Sequence, residues 1–282
     1  MYPSRSIPSR TSRDYAFWGG LALIILLLVC IYASAREGSS QDSSIPDDFV
    51  YLQDVDPSIL RDIRYSSPNN FTGKAVPGYQ APECLLLRPV AEALKHVQSD
   101  LMSQSLSLKV YDCYRPQRAV QAFARWVNDE KESDTTKRFY PRLDKSQLFA
   151  ERYISSASGH SRGIAVDVTL VRLPKTATPA FDARAGYGPC IGPAKDRAPD
   201  DSIDMGTGFD CFDVQSYTSN RDILPDQQSW RRVLVAAMQR HQFKNYEREW
   251  WHFTFTMPGA AELRLNDFSI RPHPTVIKLK DR

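Results

Sequence analysis

No glycine-rich phosphate loop, no G-x-G-x-x-G fingerprint and no internal repeat occurs in the 282 residues. Their absence excludes P-loop nucleotide hydrolysis, dinucleotide-dependent redox chemistry and solenoid architecture. An excess of one charge is also missing. The net charge is +3, and Arg5, Arg10, Arg13 and Asp14 account for +2 of it. The near-neutral remainder gives no electrostatic case for binding nucleic acid. Disorder is excluded by composition, since 42% of residues are hydrophobic and 24% charged. The length allows one generous domain or two small ones, with a substantial core.

One long apolar run stands out. "AFWGGLALIILLLVCIYASA" follows the three arginines and ends in Ala33-Ser34-Ala35. A positive region, an apolar stretch and an A-x-A-like site form the pattern of an export signal. The run is long for a cleaved signal and just long enough to span a bilayer. It lacks the polar stripe that a buried core helix would show. Residues 1–35 are therefore expected to be a cleaved signal peptide or an uncleaved membrane anchor. Either places the body outside the cytoplasm, in the periplasm or tethered to the inner membrane. Bulky Leu28, Val29 and Ile31 around Cys30 argue against a lipoprotein signal.

Cysteine is scarce, with five in the chain. Setting aside Cys30 leaves Cys84, Cys113, Cys190 and Cys211. Four in an exported domain suggest two disulfides, with three possible connectivities. Cys84–Cys113 and Cys190–Cys211 are the favoured pairs, the second closing a loop rich in Gly, Pro and Asp.

Residues 36–47 are polar and Ser-rich and read as a linker. The globular domain is expected over 48–270, with an extended tail at 271–282. Within it, "RPVAEALKHVQSDL", "PQRAVQAFARWVNDE" and "QQSWRRVLVAAMQRHQF" carry apolar residues at helical spacing, the first two opening on a proline. "LSLKVYDCY", "GIAVDVTL" and "WWHFTFTM" read as strands, and 172–222 as loop. Helices and strands mix without a regular βαβ rhythm. The expected fold is one compact α+β domain, a central and mainly antiparallel sheet flanked by helices.

The chemistry concentrates in two stretches. In "SGHSRGIAVDVTL", Asp167 leaves its strand on the face opposite Ile164, Val166, Val168 and Leu170. Gly163 frees the backbone so that His160 can fold back toward it. Taken alone, the pair could be a turn histidine and a strand-edge aspartate. In "REWWHFTF", however, His252 sits on an aromatic strand, an awkward place for an imidazole without a partner. His160, Asp167 and His252 together match a catalytic zinc, with three protein ligands and water in the fourth position. Glu249, three residues before His252, is then free to act as general base. That role requires a bend before the strand, since a regular strand would turn Glu249 and His252 to opposite faces. Arg115, at a strand–helix junction in "YDCYRPQRAV", can aim at an oxyanion or a substrate carboxylate.

From about Phe49 to Thr256 the sequence resembles the zinc D-alanyl-D-alanine dipeptidases of the vancomycin-resistance type. "NNFTGKAVPGY", "YDCYRPQRAV", "SGHSRGIAVDVTL", "MGTGFDCFD" and "EWWHF" occur in family order. The resemblance implies one zinc per chain on His160, Asp167 and His252. It implies Glu249 as base, Arg115 as the transition-state arginine and Asp210 as the partner of the substrate's ammonium. Tyr65, Tyr79 and Ser158 match positions lining the substrate pocket, and a small, closed cavity is expected. The implied substrate is D-Ala-D-Ala or a similar D-dipeptide. The export signal departs from the resistance enzymes, which work in the cytoplasm, and so does Gly159, where relatives can carry Ser. A carboxypeptidase acting on peptidoglycan stems and a non-catalytic zinc-containing binding domain are the competing functions. Trp250 and Trp251 read as core, and His96, His241 and His273 as surface residues. The Asn70 sequon is expected to be inert.

Overall fold

In the computed structural model, residues 44–129 and 134–274 are described. The apolar N-terminal segment lies outside them. No helix among the described residues is long and apolar enough to cross a membrane.

A five-stranded sheet organises the domain, in the order β2-β4-β5-β7-β6. Its members are β2 (Leu60–Arg61), β4 (Leu106–Asp112), β5 (Ala165–Arg172), β6 (Phe243–Tyr246) and β7 (Glu249–Phe255). The expectation of a mainly antiparallel sheet is corrected to a mixed one. β2 pairs with β4 in parallel, although β4–β5, β5–β7 and β6–β7 are antiparallel. The two-residue β2 belongs to a segment too short and irregular to have been read as a strand. A separate ribbon joins β1 (Phe49–Tyr51) to β3 (Leu85–Leu87).

Three longer helices match the periodic segments. Helix α1 (Arg88–Met102) has Pro89 in its first turn, where a missing N–H costs nothing, and buries Val90, Leu94, Val97 and Leu101. Helix α2 is Gln117–Val127, and helix α3 is Pro225–Gln239. Helix α1 packs against β4 and α3, and α3 against β6.

All seven residues of β4 are buried, polar ones included. For Lys109 and Tyr111 the loops of 172–222 explain this, because they reach over the strand. Lys109 Nζ lies 2.5 Å from both Asp200 and Asp201, and the Tyr111 hydroxyl donates to Asp200 at 2.7 Å. The tail does not simply trail away, since His273 is buried and its Nε2 lies 2.9 Å from Asp54 Oδ1. The expectation that His273 is a surface residue is thereby corrected: the start of the tail docks on the domain. Asn70 is also sealed, its amide donating to the carbonyls of Arg64, Ser67 and Lys74. That leaves no free nitrogen for a glycan.

Gly163 bears directly on the site. It has φ of 75° and closes a 3₁₀ turn, His160–Arg162. A Cβ there would stand 2.5 Å from Phe49 Cε1. Gly163→Ala is expected to destabilise the fold by at least about 2 kcal/mol, from the left-handed backbone and a displaced Phe49 ring. Urea unfolding checks this, and an unchanged midpoint would refute it.

Candidate active site

The site lies where β5 and β7 run side by side. Asp167 and His252 are directly opposed in the ladder, so their side chains stand next to each other on one face. His252 Nδ1 is 3.0 Å from Asp167 Oδ1. His160 arrives from the turn before β5. Its Nδ1–H donates to the Cys113 carbonyl at 2.7 Å. A carbonyl can only accept, so the proton resides on Nδ1 and the Nε2 lone pair faces the site. That Nε2 lies 3.3 Å from Asp167 Oδ1 and 3.1 Å from His252 Nδ1. Three metal-ligating atoms thus converge from residues far apart in sequence.

Glu249 reaches the same place through an irregularity. Asn245 pairs with Phe253, yet the next residue, Tyr246, pairs with Glu249. The three residues between, 250–252, are looped out of the β6–β7 register, while His252 keeps its place opposite Asp167 in β5–β7. Asn245 Nδ2 closes the bulge by donating to the Glu249 and His252 carbonyls at 3.1 and 3.0 Å. The expected bend is therefore a bulge within β7, with Glu249 as the first strand residue. Its Oε2 lies 3.9 Å from His252 Nδ1.

Arg115 follows the end of β4. Its Nε donates to Asp112 Oδ2 at 2.8 Å and its Nη2 to Asp167 Oδ2 at 3.4 Å, while its Cζ lies 5.1 Å from the Tyr65 ring centroid. Asp210 sits on a loop with φ of 56°, a left-handed conformation uncommon among residues other than glycine, asparagine and aspartate. Its carboxylate is buried and accepts the Tyr65 hydroxyl at 3.0 Å. The Ser158 hydroxyl accepts the His160 N–H at 3.2 Å. A Cβ on Gly159 would come 3.2 Å from the Ala165 Cβ, a tight fit.

His160, Asp167, His252, Glu249, Arg115, Asp210, Tyr65 and Ser158 all face one cavity of about 520 Å³. It is roomier than the small, closed cavity the resemblance implies, though within the range of small-ligand sites. Tyr79 is placed elsewhere. It is absent from the cavity wall and supports the site from behind, its hydroxyl donating to Asp112 Oδ1 at 2.6 Å. Asp112 is the residue that sequence reasoning missed. It is fully buried and joins Tyr79 to Arg115, and the sequence shows it only as an aspartate at a strand end, three residues after Lys109. Trp251 was read as core and is buried, yet one of its edges lines the cavity.

The electrostatics follow from crowding. Burial pushes the Glu249 carboxyl well up, and Asp167 and Asp210 push it further. Burial and Asp167 do the same to Asp210, against the pull of Arg115 and the Tyr65 hydrogen bond. Burial would also raise Asp167, but the two imidazoles beside it hold its carboxyl well below the usual range. Burial lowers His252 and so favours the neutral ligand form. A group of this kind gains from a cation seated among its lone pairs.

A family model described as D-ala-D-ala dipeptidase (Peptidase M15) matches residues 46–178 and 196–271. A D-alanyl-D-alanine dipeptidase of Streptomyces coelicolor is 32% identical over 207 residues, which cover 73% of this chain and 91% of that protein. One from Enterococcus faecium is 29% identical over 205 residues, 73% of this chain and 90% of its own. Another, from Escherichia coli, is 28% identical over 222 residues, 79% of this chain and 92% of its own.

His252→Ala is expected to lose bound divalent metal, because it removes one of three converging ligands. Glu249→Ala is expected to keep it. Metal analysis of the two purified variants beside wild type decides, and metal loss from Glu249→Ala would make Glu249 a ligand instead.

Proposed function

The chain belongs to the D-alanyl-D-alanine dipeptidase family, and on that premise we propose that it hydrolyses D-Ala-D-Ala and similar D-dipeptides with one zinc ion held by His160, Asp167 and His252. The observation that carries the reading is the charge of the cavity. Asp167, Asp210 and Glu249 line it, and Asp112 stands behind them; the cations there are the part-buried Arg115, paired with Asp112 and Asp167, and the exposed Arg152. A divalent cation and a ligand ammonium would offset that excess.

The metal-ligand atoms fit zinc. Tetrahedral bonds of about 2.0–2.2 Å set ligand atoms roughly 3.3–3.6 Å apart, and the three separations here, 3.0, 3.1 and 3.3 Å, need to open only by a few tenths of an ångström. Zinc bound there supplies Lewis acidity at the scissile carbonyl and an acidified water. The chain's own groups do the rest. The Cys113 carbonyl holds the His160 ring in the tautomer that presents Nε2. Asp210 takes the dipeptide's ammonium, with the Tyr65 hydroxyl fixing the carboxylate's orientation. Arg115 Nη2 is placed to donate to the oxygen that gains charge as the carbonyl is attacked. Glu249 accepts the proton of the attacking water and returns it to the leaving nitrogen. The C–N bond breaks, a C–O bond forms, and two amino acids leave.

A carboxypeptidase acting on peptidoglycan stems would use the same chemistry. Asp210 disfavours it, because an internal amide brings no cation to a buried carboxylate. A non-catalytic binding domain has no use for Glu249. Export is part of the proposal, supported by the signal-like N-terminus and by the two disulfides, Cys84–Cys113 and Cys190–Cys211. Membrane contact is then confined to the N-terminal segment. An exported enzyme cannot reach the cytoplasmic dipeptide pool, so its role is turnover or scavenging of wall-derived D-dipeptides in the periplasm.

Asp210→Ala is expected to lower kcat/KM for D-Ala-D-Ala sharply, by about 10²-fold or more for a lost buried charge pair. It should change the small residual activity on the N-acetylated dipeptide far less. Kinetics of both proteins on both substrates decide, and equal cleavage of the two substrates by wild type would establish a carboxypeptidase. Expression of the full-length gene in a vancomycin-sensitive bacterium is expected to leave its resistance unchanged. A large rise would place the enzyme in the cytoplasm.

A further inference from the structure

A second cavity, of about 80 Å³, lies behind the segment that ends in Asp210, and none of its lining residues faces the dipeptide cavity. Arg64, Arg138 and Arg197 reach it, as do Gly208 and Phe209. Two of these guanidiniums are neutralised. Arg64 meets Asp62 and Asp200 at 2.8 and 2.5 Å, and Arg197 meets Asp204. Arg138 differs. Its Nη2 donates to Asn69 Oδ1 at 3.2 Å, and among the described residues it meets no carboxylate. Instead its Cζ lies 4.8, 5.5 and 5.2 Å from the ring centroids of Phe139, Phe181 and Tyr187.

Stacked rings hold a guanidinium in place without discharging it. Burial and the neighbouring Arg64 push its pKa down, as expected of a cation short of a counter-charge. The planar fork of an arginine suits two oxygens of one anion. The cavity is large enough to hold more than a single water. Phe181 and Tyr187 belong to residues 179–195, which the family match skips. Two of the three rings around Arg138 therefore lie on a loop where this chain departs from the family pattern.

We propose that the cavity at Arg138 is a binding site for a small oxyanion, either a carboxylate or inorganic phosphate. The bound anion would pair with the Arg138 guanidinium. It would also touch the Gly208–Phe209 backbone, which leads directly into Asp210.

The test titrates sodium phosphate, and separately sodium acetate, into wild type at constant ionic strength, against sodium chloride. Calorimetry and Tm are the readouts. Saturable binding of at least one anion is expected, with the stronger binder identifying the source. Arg138→Gln should weaken it by about tenfold or more, the worth of a charge-assisted hydrogen bond, without changing kcat for D-Ala-D-Ala. Arg115 faces the other cavity, so binding must survive in Arg115→Gln. No saturable binding to wild type, binding unchanged in Arg138→Gln, or binding lost only in Arg115→Gln would each overturn the proposal.

Discussion

Buried negative charge is the constraint from which the rest of this structure follows. Asp112, Asp167 and Asp210 are each almost wholly removed from solvent, and Glu249 is nearly so. Carboxylates at such density repel one another and lose their hydration. A chain keeps them together only if the backbone leaves them nowhere else to go. The sheet provides that confinement. Asp167 and His252 are opposed partners in adjacent strands, and Asp112 pairs with Asp167 across the β4–β5 ladder. Neither can turn away without breaking the ladder.

The two disulfides reinforce the same region. Cys113 directly follows Asp112, and its carbonyl orients His160. Cys211 directly follows Asp210 and is tied to Cys190 in the loop that covers the sheet. Each bond restrains a backbone joint next to a buried carboxylate. Part of the covalent stabilisation therefore acts where electrostatic repulsion is greatest. Crowding also bears on the chemistry, since burial and the neighbouring carboxylates push the Glu249 and Asp210 carboxyls up and make their ionisation costly. A metal ion and a ligand ammonium would turn both into the charged groups that hydrolysis and binding need.

Much of this was legible in the chain. The 3.6 spacing of Val90, Leu94, Val97 and Leu101 gave helix α1, and the alternation of 164–170 put Asp167 on its own face. The motifs around His160 and His252 pointed to the three residues whose side chains could hold a metal, because chemistry restricts such ligands to a few residue types. Other features were not legible. Nothing local distinguishes Asp112 from any aspartate at a strand end, and its importance comes from Tyr79 and Arg115, which reach it from other segments. The stretch holding Lys109 and Tyr111 reads as a strand, but nothing in it announces the loop some ninety residues on that buries them.

The sequence by itself determined the element types, the donor set and the cysteines available for pairing, because propensity, periodicity and ligand chemistry are properties of residues and their near neighbours. Tertiary structure decided the mixed order of the sheet, the bulge that brings Glu249 alongside His252, the place of Tyr79 behind the cavity and the docking of His273. Each of these depends on contacts between segments distant in the chain, and a register shift or a shared carboxylate exists only once both segments are in place.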